Sequence, residues 1–140
     1  MSRYQLSPHF YLDEWRCKDG SDVPTVYLGN VEELAREILE PVRAAWGGPL
    51  IVVSGYRTPE YNKGRGVPHS AHLTAEAADI RPGDPDSSEA LWSCVRHMYA
   101  AGKLPKLGGL GRYPSWVHVD IRRSKGRLRE WSGAGMGSEP

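Results

Sequence analysis

Cysteine is scarce in this chain: Cys17 and Cys94 are the only two. Two thiols make neither a disulfide framework nor a four-thiolate zinc site, and the simplest reading is two free thiols. Excess charge is also missing, with 18 Lys and Arg against 17 Asp and Glu and a net charge of +1. That balance excludes nucleic-acid binding driven by bulk charge. Long apolar runs are absent too. The longest, Pro49-Leu50-Ile51-Val52-Val53, falls far short of the ~18 residues of a membrane span. The first ten residues contain no apolar core of a secretory signal, so synthesis in the cytoplasm without a signal peptide is expected. No internal repeat occurs, and no His-Glu-x-x-His motif marks a helical zinc site.

What remains is an ordinary soluble composition, 39% hydrophobic and 25% charged over 140 residues. It predicts one domain over residues 1–131, a flexible Gly- and Ser-rich tail over 132–140, and a monomer. A short helix is expected over 12–17. Asn30 and Glu33 read as an N-cap and capping box for the first long helix. Its stripe is Val31, Leu34, Ala35, Ile38, Leu39, Val42, Ala45 and Trp46, with a kink at Pro41 and a stop at Gly47-Gly48-Pro49. Strands are expected over 50–53, 77–81, 107–113, 116–122 and 128–131. A second helix, capped by Asp86 or Ser87, carries Leu91, Trp92, Val95, Met98 and Tyr99. Late strands joined by short turns predict an α+β fold, an antiparallel sheet with helices packed on one side.

With cysteine excluded, a metal site must draw on the five histidines and on carboxylates. Alternation along 116–122 sends Val117, Val119 and Ile121 to the core and His118 and Asp120 to the other face. By the same rule Ala78 and Ile80 face the core, and Asp79 does not. If the two strands are neighbours, Asp79 and His118 meet on one surface, and His72, in the preceding loop, can close over them. Two imidazoles and a carboxylate suit zinc and leave one tetrahedral position open for hydrolytic chemistry. On spacing alone the set also reads as two ordinary histidines and a strand-end charge.

The motifs themselves are more specific. Ser54-Gly55-Tyr56-Arg57-Thr58-Pro59, then Ser70-Ala71-His72 leading to Ala77-Ala78-Asp79, then His118-Val119-Asp120, together resemble the zinc D-alanyl-D-alanine carboxypeptidase family of metallopeptidases. The opening His9-Phe10-Tyr11-Leu12-Asp13-Glu14-Trp15 and the stretch Gly109 to Pro114 extend the resemblance to about residue 131. The resemblance implies the fold shared with the hedgehog signalling domain. It implies Zn2+ held by His72, Asp79 and His118, and hydrolysis of peptidoglycan stem peptides or cross-links. It implies Arg57 beside the reacting carbonyl, where a guanidinium would hold developing negative charge. Ser70 and Tyr56 are candidate substrate contacts, though Ser70 also reads as a turn serine, and Tyr56 and Tyr61 either line the groove or pack. Phage-type members of the family, acting in lysis or from the virion, set the expectation for where such a chain works.

Two positions depart from the family pattern. Ala75 stands where the family has glycine, which suggests a tight backbone approach or a positive φ at that place. Ser115 stands where many relatives carry an acidic base. Asp120, His69 and Glu76 are the alternative proton acceptors, and Asp120 could instead orient a ligand histidine. The missing acid also leaves open a non-catalytic zinc-containing module that binds wall fragments or a virion partner. Cleavage between L-Ala and D-Glu is a further specificity consistent with the same motifs.

Overall fold

The computed structural model describes residues 3–123 and 126–133. A hairpin opens it: β1 (Gln5–Ser7) pairs antiparallel with β2 (Phe10–Tyr11). Glu40 anchors this hairpin, accepting from the Ser7 hydroxyl at 2.8 Å and the His9 amide at 2.6 Å. The expected short helix is one 3-10 turn, Leu12–Trp15, which buries Trp15 completely.

The first long helix runs as α1 (Leu28–Leu34), a π-helical turn (Ala35–Leu39) and α2 (Glu40–Trp46). Of the expected stripe, Val31, Leu34, Ala35, Ile38, Leu39 and Val42 are fully buried, while near the helix end Trp46 is half-buried and Ala45 is exposed. One local expectation is corrected. Asn30 lies inside α1 rather than capping it, because a 3-10 turn, Thr25–Tyr27, leads into the helix two residues earlier. Its side-chain amide donates to the Thr74 carbonyl at 2.9 Å, fastening the helix to the His72 loop. At Pro41, where a kink is expected, the helix departs from regular α bonding: a π turn ends at Leu39 and Pro41 sits in the first turn of α2 directly after it. The proline, which donates no backbone bond, thus stands where the helix changes from π to α bonding. Gly47 ends α2 in the left-handed conformation, φ 81°, as a C-terminal glycine should.

The remaining elements are β3 (Leu50–Ser54), α3 (Pro59–Asn62), a 3-10 turn (Ala71–Thr74), β4 (Ala77–Pro82), α4 (Ser88–Ala100), β5 (Gly109–Arg112), β6 (Val117–Asp120) and β7 (Arg129–Ser132). Ser87 precedes α4 without a side-chain cap bond, and Asp84 instead accepts from the Asp86 amide at 3.0 Å. The main sheet has the order β3-β4-β6-β5-β7. The fold is α+β, as expected, but the sheet is mixed: β7 pairs with β5 in parallel, while the other pairs are antiparallel. After β6 the chain crosses to the far edge of β5 instead of turning straight back. That route delivers β7 in the direction of β5.

α4 packs on β4, β5 and β6. Between them Leu91, Val95, Ala78, Ile80, Leu110, Val117 and Val119 are fully buried. Among the described residues no helix is long and apolar enough to cross a membrane. Cys17 and Cys94 are both free. Of the expected tail, Ser132 ends β7 and the Gly133 amide donates to the Arg112 carbonyl at 2.9 Å. The rest of that tail lies outside the described residues.

Candidate metal centre

Register builds the site first. In the β4–β6 pair Asp79 stands directly opposite His118. Their neighbours in sequence fill the core, so alternation drives Asp79, His118 and Asp120 out of the opposite face. His72 arrives on the 3-10 turn. Ser70 caps that turn by accepting from the His72 amide at 3.2 Å, and Ala75 closes it at φ 56°. Ala75 is the one non-glycine residue with positive φ among the described residues, which explains the family's glycine there.

The three side chains converge. His72 Nε2 lies 3.3 Å from Asp79 Oδ2, and His118 Nδ1 lies 3.1 Å from Asp79 Oδ1. One ligand atom from each falls within 4.8 Å of the others, a spacing that fits a shared metal ion. All three residues are buried.

Hydrogen bonding shows which nitrogen each imidazole presents. His72 Nδ1 lies 2.6 Å from the Gly55 carbonyl. A carbonyl only accepts, so Nδ1 carries the proton and Nε2 keeps its lone pair for the site. Burial is the largest influence on this ring and lowers its pKa, against the pull of Asp79. His118 Nε2 lies 2.7 Å from Asp120 Oδ2, which leaves Nδ1 facing Asp79 and the site. Burial alone would lower the His118 pKa, but hydrogen bonds and charges from Asp120 and Asp79 push it up to about 9. Burial would raise the Asp79 pKa, yet His72 and His118 hold it well below the usual carboxylate range. A donor set with one neutral lone pair, one charged carboxylate and one proton to displace fits a divalent cation.

Arg57 is buried beside Asp79. Its guanidinium donates to Asp79 at 3.3 Å, Ser54 at 3.2 Å and Asn62 at 3.4 Å. Asp120 is fully buried with both oxygens engaged: Oδ2 on His118, Oδ1 accepting from the Arg122 amide at 3.0 Å and from Arg129. It lies behind the His118 ring.

These residues stand at the base of an open cavity of about 770 Å³. Ser70 and His69 are on its wall, and His69 is exposed. Tyr56 is not. It is buried in the core with its ring 6.2 Å from Tyr27, which corrects its expected place in the groove. Tyr61 also packs, under the Arg65 guanidinium at 4.2 Å. Glu76 is off the wall, paired with Arg122 at 3.0 Å and with Thr74. Ser115 is exposed in the β5–β6 turn and does not line the cavity.

The sequence reading gave no role to several wall residues. Tyr113 stacks on Trp116 with ring centroids 4.7 Å apart, and Trp131 tilts over His118 at 4.8 Å. Arg129 and Trp131 come from β7, and the signal that could have found them is Gly109-x-Gly111, which strips one face of β5 bare.

A family model described as Peptidase M15 matches residues 8–120. The matched span holds Arg57, Ser70 and the three converging side chains, and it ends at Asp120, before β7 begins. Comparison with curated proteins found no match, nor did comparison with solved structures. A match over most of the chain, with His72, Asp79 and His118 gathered as a metallopeptidase requires, places this chain in the peptidase M15 family.

Proposed function

We propose that the protein is a zinc metallopeptidase that hydrolyses peptide bonds in bacterial peptidoglycan, as a D-Ala-D-Ala carboxypeptidase or a cross-link endopeptidase. The observation that carries this reading is the convergence of His72 Nε2, Asp79 and His118 Nδ1 at the base of an open cavity, beside a buried arginine. When bound, zinc supplies Lewis acidity and activates water for attack on a carbonyl.

The chain's own residues supply the rest. Arg57 is fixed by three acceptors, so its guanidinium is oriented before substrate arrives and can hold the charge that develops on the carbonyl oxygen. Ser70 uses its oxygen to cap the His72 turn, and its own proton is available to a substrate acceptor. Among the described residues Arg65, at the cavity wall, has no acidic partner. Its charge suits the free carboxylates of stem peptides. Of the candidate proton acceptors, Asp120 has both oxygens occupied and Glu76 is off the wall. We therefore assign proton transfer to His69, on the wall and outside the ligand set.

Ser115, in place of an acid, favours the second reading, a zinc-containing module that binds wall fragments without cutting them. Digestion of purified peptidoglycan by zinc-loaded protein, read by mass spectrometry of the muropeptides, separates the two. Loss of a terminal D-Ala or opening of cross-links is the expected result. Unchanged muropeptides under a full zinc load would leave only the binding module. Products cut between L-Ala and D-Glu would keep the enzyme and reassign its bond.

A further inference from the structure

Two residues of the site wall come from β7, which the family match does not reach. β7 lies beside β5 in parallel register, with Gly109 opposite Arg129 and Gly111 opposite Trp131. The glycines matter because of what a side chain there would meet. A Cβ on Gly109 would collide with the Asp120 carboxylate and lie 2.8 Å from Arg129 Nη2. A Cβ on Gly111 would lie 2.7 Å from Trp131 Nε1 and 3.0 Å from His118 Cβ. β5 is therefore bare on the face of the site. Arg129 and Trp131, two residues apart and on one face of β7, reach across it to Asp120 and His118 on β6.

We propose that Arg129 is a positioning residue for the metal centre, acting through Asp120 to fix the orientation of the His118 ring. The inference rests on the zinc reading above. Arg129 donates from one nitrogen to Asp120 Oδ1 and, at 2.7 Å, to the Arg122 carbonyl. With Oδ1 held there and by the Arg122 amide, Oδ2 is left aimed at His118 Nε2. A proton fixed on Nε2 leaves Nδ1 as the nitrogen offered to the metal, the role carboxylates commonly play behind a ligand histidine. Trp131 keeps the ring from swinging away, its own position pinned by a 2.9 Å bond from Nε1 to the Tyr113 hydroxyl. Among the described residues the Nε of Arg129 is buried without a partner. The guanidinium is thus turned to Asp120 and the Arg122 carbonyl even though its Nε is left without a partner.

Zinc affinity, measured by competition with a chromophoric chelator, tests this without relying on turnover, and the visible spectrum of the cobalt-substituted protein reports ligand geometry. Arg129→Met and Arg129→Gln are expected to weaken zinc binding by about tenfold or more and to shift the cobalt bands. Arg129→Lys, keeping the charge, should recover part of the loss. The Arg129→Met, Asp120→Asn double variant should lose little beyond Asp120→Asn alone, since both act through one carboxylate. Zinc affinity and cobalt bands unchanged in a folded Arg129→Met or Arg129→Gln protein would overturn the inference and leave the zinc reading standing. Wild-type protein that binds no zinc would overturn both.

Discussion

The loop flank of the metal centre and its strand flank hold their histidines in opposite ways. On the loop flank His72 leans on a neutral backbone carbonyl, that of Gly55, which no substitution removes. On the strand flank His118 leans on a charge, Asp120, itself held by Arg129. The first arrangement fixes a neutral imidazole with its lone pair ready. The second holds a protonated one, wedged between two carboxylates until a metal displaces the proton on Nδ1. One flank is set by backbone geometry and the other by a chain of charges, so the two should fail differently.

The largest difference should appear on deleting each ring. His118→Ala and His72→Ala are both expected to abolish zinc retention through gel filtration. Without metal they should diverge. His118→Ala takes the imidazolium from between Asp79 and Asp120 and leaves each buried carboxylate with one arginine, Arg57 or Arg129, as its cationic partner, a loss of about 3–5 kcal/mol. His72→Ala mainly forfeits a neutral hydrogen bond and packing, about 1–3 kcal/mol. Urea denaturation of the two metal-free variants measures both, and equal losses would erase the distinction.

A pH series sharpens the comparison with a smaller effect. The folded His118 pKa of about 9 exceeds the ordinary value of about 6.5. Its stabilisation is therefore complete below about pH 6.5 and lost as pH rises through about 9, at most about 3 kcal/mol. His72, with a lowered pKa, acts in the other direction: its contribution is present above about pH 6.5 and fades as pH falls. Metal-free protein should lose stability between pH 6.5 and 9, and Asp120→Asn should flatten that decline. Denaturation midpoints across the range supply the check.

The smallest effect belongs to the loop flank. Ala75→Gly relieves a left-handed backbone, worth about 1–2 kcal/mol, but removes a fully buried methyl and adds chain entropy of similar size. The net change should stay within about 1 kcal/mol by thermal melting, with zinc affinity unaltered.

The two flanks also differed in how well the sequence revealed them. Asp79 and His118 were legible because alternation in β4 and β6 is a local rule that sorts Ala78, Ile80, Val117 and Val119 inward and leaves the polar residues outside, whereas His72, on a 3-10 turn, was legible through the motif that resembles the family's. Positive φ at Ala75 was one of two readings that the family's glycine at this position suggested, and the structure shows it, at φ 56°. The role of β7 was not legible. Its parallel pairing is set by where the chain crosses after β6, and local sequence does not encode that. Gly109 and Gly111 make sense only once Asp120, Arg129 and Trp131 are seen to need their space. Asn30 failed as a cap because the preceding 3-10 turn had already started the helix. Tyr56 failed as a groove residue because its ring packs on Tyr27 in the core, while the next residue, Arg57, is the one that lines the cavity.

The most direct test of the whole account is an anomalous-diffraction map of the zinc-loaded protein at the zinc edge. The account predicts one ion held by Nε2 of His72, a carboxylate oxygen of Asp79 and Nδ1 of His118, with Asp120 on the far nitrogen of the His118 ring. An ion ligated by Asp120 or by Nε2 of His118, or no ion at this site, would contradict it.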